Sequence, residues 1–216
     1  MKMKIMAVSV SLPVEVEYKG RVIRTSIFKQ PVKGPVAAGL TSLEGDRQAN
    51  LKVHGGIHKA IYAYSHDHYA WWGKTLGRDD LAFGQFGENL TIAGLDESNL
   101  MIGDRLQLGS VLTVVTGPRI PCANLGVIFD DKMMPRRFTD AQRPGIYLRV
   151  LETGEVQAGD PVSLLTSDEN GLSVTDMYRA YSKPRADSAR AILEKALTLP
   201  DLDPDFIPRI HKRLEQ

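Results

Sequence analysis

The sequence of 216 residues holds one cysteine, Cys122, so neither an intramolecular disulfide nor a cysteine-rich zinc or iron–sulfur site can form within one chain. That scarcity suits a reducing compartment, and a cytoplasmic location is the expectation. No apolar run approaches the roughly 20 residues that cross a bilayer. Pro13 and Glu15 interrupt the basic N-terminal stretch before a signal-peptide core can form. Charge of one sign is also missing. With 27 Lys and Arg against 26 Asp and Glu, the net charge of +1 gives neither nucleic acid nor an anionic membrane a reason to bind. The chain has no Gly-x-Gly-x-x-Gly after a strand, no Walker-type phosphate loop, no Gly-x-Ser-x-Gly elbow and no His-Glu-x-x-His. Nicotinamide, ATP and triad-hydrolase chemistry are therefore not indicated.

What is present is a β-rich body followed by a helical tail. Short runs of β-branched and aromatic residues at 4–10, Val14–Tyr18, 22–28, 59–64 and 90–92 alternate with Gly, Pro and Asp turns. Gly109-Ser110 between Arg105–Leu108 and 111–116 reads as a tight hairpin. Many short strands with few helices predict a closed barrel or sandwich. One helix capped by Ser65 carries His68, Trp71 and Trp72 at i, i+3, i+4 spacing, and a second short helix begins near Cys122. Residues 132–143, where Lys132, Arg136, Arg137 and Arg143 mix with Asp140, read as a solvated loop or an anion-gathering rim.

The texture changes after residue 166. Ser173 caps a helix that Pro184 stops, 186–199 supplies apolar residues at helical spacing, and Asp203-Pro204 opens a last helix. The expected organisation is therefore mainly β with α: a barrel domain over 1–166 and a three-helix bundle over 167–216.

Four of the five histidines, His54, His58, His66 and His68, fall within fifteen residues. Their spacing argues against a metal site, because His66 and His68 point about 200° apart on a helix. Gly55-Gly56 lets backbone approach a ligand, with His54 and Lys59 as flanking donors, and reads equally as a plain turn. Glu88-Asn89 offers the acceptor and donor groups that a pterin or purine edge requires. Lys29 and Lys33 are candidates for a phosphate. In Pro118-Arg119-Ile120-Pro121-Cys122 a thiol follows a guanidinium near a helix start, an arrangement that favours the thiolate. A buried core cysteine is the other reading of those residues.

Together these segments resemble the MOSC family, the molybdenum-cofactor sulfurase C-terminal domain, and within it the YiiM-type subfamily with its helical tail. The resemblance rests on Lys29-x-Pro-Val-x-Gly-Pro-Val36, Leu43-Glu-Gly-Asp-Arg-Gln-Ala-Asn50, Val53-His-Gly-Gly56, Phe86-Gly-Glu-Asn-Leu90, Pro118-Arg-x-Pro-Cys122 and Gly145-x-Tyr-x-Arg-Val150. It implies a distorted, mostly antiparallel β-barrel and the molybdenum cofactor (molybdopterin), with Cys122 as metal ligand. Lys33, His54, Gly55, Gly56, Lys59, Asn89 and Arg119 are then cofactor-binding candidates. It also implies reduction of N-hydroxylated compounds, such as hydroxylaminopurine, to amines, with His54 or His58 as proton donor. A separate reductase protein would supply electrons, and a homodimer is the expected assembly if the chain self-associates. The alternative implied by the same family is a sulfur or cofactor carrier using a Cys122 persulfide. At His58 the chain departs from the subfamily, which has an acid there, and a more basic pocket follows.

Overall fold

Strands in this chain are defined by which faces they bury. The structure, a computed structural model, describes residues 2–51, 55–169, 171–183, 186 and 188–215. Chain order begins with β1 (Met3–Val10), β2 (Val14–Tyr18), β3 (Arg21–Thr25), β4 (Gln30–Val32) and β5 (Val36–Ala38). A single 3₁₀ turn, Ile57–Lys59, leads into β6 (Ile61–Ser65), α1 (Asp67–Leu76) and β7 (Leu90–Ala93). The hairpin of β8 (Arg105–Leu108) and β9 (Val111–Pro118) follows, then α2 (Asn124–Ile128) and α3 (Met134–Ala141). The body ends with β10 (Ile146–Glu152), β11 (Gly154–Val156) and β12 (Pro161–Thr166), and the tail holds α4 (Val174–Ser182), α5 (Ala189–Ala196) and α6 (Phe206–Leu214).

Seven strands close a barrel in the order β12, β8, β9, β10, β6, β7, β1, with β1 pairing back to β12 through Met3 and Lys4. The other half of the same β1 edge, Val8 to Val10, holds β4. The barrel is mixed: β6 and β7 run parallel while the other pairings are antiparallel. Parallel neighbours need a crossover connection, and α1 lies within the link from Ser65 to Leu90.

β6 is buried on both faces. Ile61 and Ala63 join the main apolar core with Ile5, Ile92 and Leu148, whereas Tyr62 and Tyr64 face an aromatic cluster with Tyr69, Trp72, Phe86 and Phe138. The Trp72 indole donates to the Tyr64 hydroxyl at 2.7 Å. α1 starts at Asp67 without a side-chain cap, because the Ser65 hydroxyl is used elsewhere, donating to the Leu95 carbonyl at 2.8 Å. His68 is held by Glu97 at 2.9 Å and Arg143 at 3.1 Å.

The solvated loop expected around 133–137 is α3. Its i, i+4 pair Met134 and Phe138 is fully buried in the aromatic cluster. Burial of two such side chains contributes about 1.5–3 kcal/mol each, enough to organise a segment whose remaining residues are mostly polar.

The tail packs on its own barrel. Leu172, Met177, Leu193, Leu202 and Phe206 belong to the same apolar core as the barrel strands. Backbone bonds cross the boundary as well: Ile102 N–H donates to the Leu172 carbonyl, Val174 N–H to Leu100, and Asp203 N–H to Thr116. Ser173 caps α4 as expected, its hydroxyl accepting from Asp176 N–H at 3.0 Å. At Gly117 (φ 147°) an added Cβ would come within 3.2 Å of the Phe206 ring, so α6 approaches β9 backbone where no side chain intervenes.

Candidate functional site

A cavity of about 330 Å³ opens beside the ends of β6, β9 and β10, within the range typical of small-molecule sites. Its wall includes Lys29, Asp46, Lys59, Asn89, Arg119, Cys122 and Tyr147. β9 ends in Pro118 and hands the chain to Arg119 and Cys122, and the Cys122 carbonyl accepts from Leu125 N–H in the first turn of α2. With only five residues, α2 has little dipole to add to the thiol's surroundings.

The charges in the wall are arranged unevenly. Lys29 is buried and paired with Asp46, whose carboxylate also accepts from Ser11 N–H at 2.8 Å and from the Asn89 amide at 2.9 Å. Burial pushes the Lys29 pKa down, against the pull of Asp46. Lys59 is paired with Asp203 at 3.1 Å and with Asp205, both contributed by the tail. Arg119 has no carboxylate partner among the described residues. Its guanidinium lies 4.9 Å from the Tyr62 ring centre and 5.3 Å from that of Phe138, and its buried Nη1 makes no hydrogen bond. Burial works to lower the Arg119 pKa, but Tyr62, Tyr147 and Cys122 nearby outweigh it and hold the value above the ordinary one. Arg24, exposed at the rim, is a second guanidinium with no carboxylate partner among the described residues.

Of the residues singled out in the sequence, Lys29, Lys59, Asn89, Arg119 and Cys122 are brought together in this wall. Others are not. Lys33 is exposed and outside the lining, and the lysine that reaches the cavity is Lys29. Gly55 and Gly56 lie outside the lining too. A Cβ on Gly55 would meet Leu51 backbone at 2.8 Å, so its role is close turn packing. The glycine in the wall is Gly87, at φ 77° and pressed against Ile27. His54 falls outside the described residues. The His58 ring has Asp203, Arg149 and Asp201 as electrostatic neighbours and lines neither this cavity nor the smaller one adjoining it. Burial lowers its pKa, so the basic pocket inferred for position 58 is a mostly neutral imidazole at neutral pH.

Asn89 and Glu88 do not present a free recognition edge. The Asn89 carbonyl accepts from Tyr62 N–H at 3.1 Å and its amide donates to Ser9 and Asp46. Glu88 is fully buried, bonded to the Tyr69 hydroxyl, the Gly84 and Phe86 N–H groups and the Thr91 hydroxyl. Both side chains fasten the turn instead. Sequence reasoning missed Asp46, Tyr62 and Tyr147, although Asp46 and Tyr147 sit inside the motifs quoted above. Among the described residues, no group of three or more His, Cys, Asp and Glu side chains is placed to hold a metal ion. No described helix is long and apolar enough to cross a membrane.

A closed mixed barrel thus carries, in one cavity, a cysteine and a buried guanidinium with no carboxylate partner among the described residues. The chain belongs to the MOSC domain family, which matches residues 50–163. It is 40% identical over 170 residues to the uncharacterized protein YflK of Bacillus subtilis (strain 168), covering 79% of this chain and 76% of that protein. It is 36% identical over 163 residues to a protein named Reductase from Gibberella moniliformis, covering 74% of this chain but only 29% of that protein. The crystal structure of YiiM from Geobacillus stearothermophilus superposes with a TM-score of 0.81 at 30% identity, over 98% of this chain and 99% of that one.

Proposed function

We propose that this chain is a molybdenum-cofactor-dependent reductase that converts N-hydroxylated compounds, hydroxylaminopurine among them, to amines. The observation that carries the reading is the coincidence, in one cavity, of Cys122 with the unpartnered Nη1 of Arg119. A thiolate suits a soft metal centre, and a buried guanidinium with an unused donor suits an anionic oxygen. The donor set therefore fits a group carrying both a thiophilic metal and a phosphate. Membership of the MOSC family and similarity to a protein named Reductase support the same reading.

Cys122 would hold the metal, while Arg119 and the rim residue Arg24 would hold the phosphate. When bound, the cofactor supplies the two-electron couple for R–NH–OH + 2 H⁺ + 2 e⁻ → R–NH₂ + H₂O. Lys29 and Lys59 are matched by carboxylates, so they shape the wall more than they add charge to it. Tyr147 is the proton donor in this reading. Burial pushes its pKa up to about 12, partly offset by Arg119, so the phenol keeps its proton at neutral pH. A nitrogen released as R–NH⁻ is far more basic than such a phenolate, and transfer to it runs downhill. A separate reductase protein would deliver the electrons, since these 216 residues hold one cysteine and no flavin- or nicotinamide-type motif.

The test is anaerobic turnover of hydroxylaminopurine by cofactor-loaded protein with a chemical reductant, beside Cys122→Ser. Loss of turnover in the variant is expected. Full turnover by a cofactor-loaded Cys122→Ser protein would overturn the ligand role. A sulfur adduct of about 32 Da that cycles on Cys122 with a sulfur donor, without reduction, would instead establish the carrier reading.

A further inference from the structure

Cys122, Tyr147 and Lys59 belong to the walls of two cavities. Beyond them lies a second space of about 150 Å³, closed on one side by Pro118, Ile120 and Pro121 and on the other by the tail, through Asp203, Asp205, Phe206 and Arg209. Its character differs from that of the first. Two carboxylates, Asp203 and Asp205, face two cations, Lys59 and Arg209, so the lining is balanced and offers a phosphate no unmatched charge. Ile120 and the Phe206 ring give it an apolar surface. The Asp205 side chain, 46% exposed, presents an acceptor at the opening. A cavity of about 150 Å³ holds roughly one benzene ring.

We propose that this second cavity receives the reacting end of the substrate: an uncharged, planar N-hydroxylated head about one ring in size, with N–H or O–H groups directed to Asp205. The inference rests on the reductase reading above and adds the substrate's location and class. Because both cavities include Cys122 and Tyr147 in their linings, a head group placed here lies next to the cysteine that would hold the metal. The helical tail then selects the substrate, because it supplies four of the ten lining residues. Bulkier N-hydroxylated compounds leave the remainder of the molecule in solvent.

Benzamidoxime, neutral and built on one ring, is the probe. Titrated into the full chain and followed by amide NMR, it should shift Ile120, Phe206 and Arg209. Ile120→Trp fills this cavity and replaces no residue that lines the first. It should raise both the benzamidoxime Kd and the KM of the loaded enzyme at least tenfold, with the amount of bound cofactor unchanged. Asp205→Ala should raise both about tenfold, the loss of one hydrogen bond to a charged group, and it serves as the test if Ile120→Trp does not fold. Shifts confined to the surroundings of Lys29, Asp46 and Arg24, no shifts at all, wild-type Kd and KM in a folded Ile120→Trp, or loss of cofactor from that variant would each overturn the proposal. If the probe shifts these amides but the loaded protein reduces no N-hydroxylated compound, the cavity stands as a ligand site and the reductase reading falls.

Discussion

Lys29 and Asp46 meet as a buried ion pair in the wall of the 330 Å³ cavity, with Asn89 and Ser11 N–H completing the shell of the carboxylate. The pair joins the β1 end, the β6–β7 junction and the loop after β5 at one point.

Removing the acid leaves a lysine without compensation in a dry place. Asp46→Ala should lower stability by about 3–5 kcal/mol, the usual cost of breaking a buried pair from one side. Asp46→Asn should cost less, because an amide oxygen still accepts from Ser11 N–H. Urea denaturation of both variants, read by tyrosine and tryptophan fluorescence, checks the order.

Tyr147→Phe keeps the ring packed 5.4 Å from Tyr62 and deletes only the proton source. If the phenol acts as donor, kcat should fall by about 10²–10⁴ with cofactor content and KM held. An unchanged kcat would remove Tyr147 from the chemistry.

His58 makes a pH signature. Burial, set against Asp203 and Asp201 and helped by Arg149 and Lys59, places its folded pKa below the ordinary 6.5. The unfolded chain therefore binds more protons in the window just below 6.5, and stability falls as pH drops through it. Thermal midpoints between pH 7.5 and 5 should show this slope, and His58→Gln should flatten part of it.

Phe138→Ala tests the helix that reads as loop in the sequence. The side chain is fully buried against Trp72 and Tyr64, so a loss of about 3–5 kcal/mol is expected. A surface loop would lose almost nothing.

That helix shows where the sequence was silent. Met134 and Phe138 are the only large apolar residues of α3, and between them stand Pro135, Arg136 and Arg137, so the composition speaks for solvent. What organises the segment is the aromatic wall offered by Tyr64, Trp72 and Phe86, which no local pattern reveals. The β8–β9 hairpin and the Ser173 cap were legible because each depends on adjacent residues alone. The barrel and its motifs were legible by resemblance, but the parallel β6–β7 pairing was not, since alternation gives no strand direction.

The candidate site was half legible for the same reason. Cys122 and Arg119 are neighbours in sequence and stay neighbours in the wall. Lys29 and Lys33 look alike in the sequence. Which of them goes inside is decided by Asp46, seventeen residues further on. Asn89 carries the chemistry of a recognition edge, yet Tyr62 N–H, Ser9 and Asp46 use all of it.

The two halves of the β1 edge have different histories during synthesis. Val8 to Val10 find β4 within about twenty residues, whereas Met3 and Lys4 must wait for β12, at Pro161 and Val162. Until that strand leaves the ribosome the barrel is an open sheet with hydrogen-bonding groups exposed along β1. Such an edge invites pairing with a neighbouring chain, and so distant a closure slows folding. Nascent chains halted before Pro161 should therefore depend on chaperones in a way that the finished barrel does not.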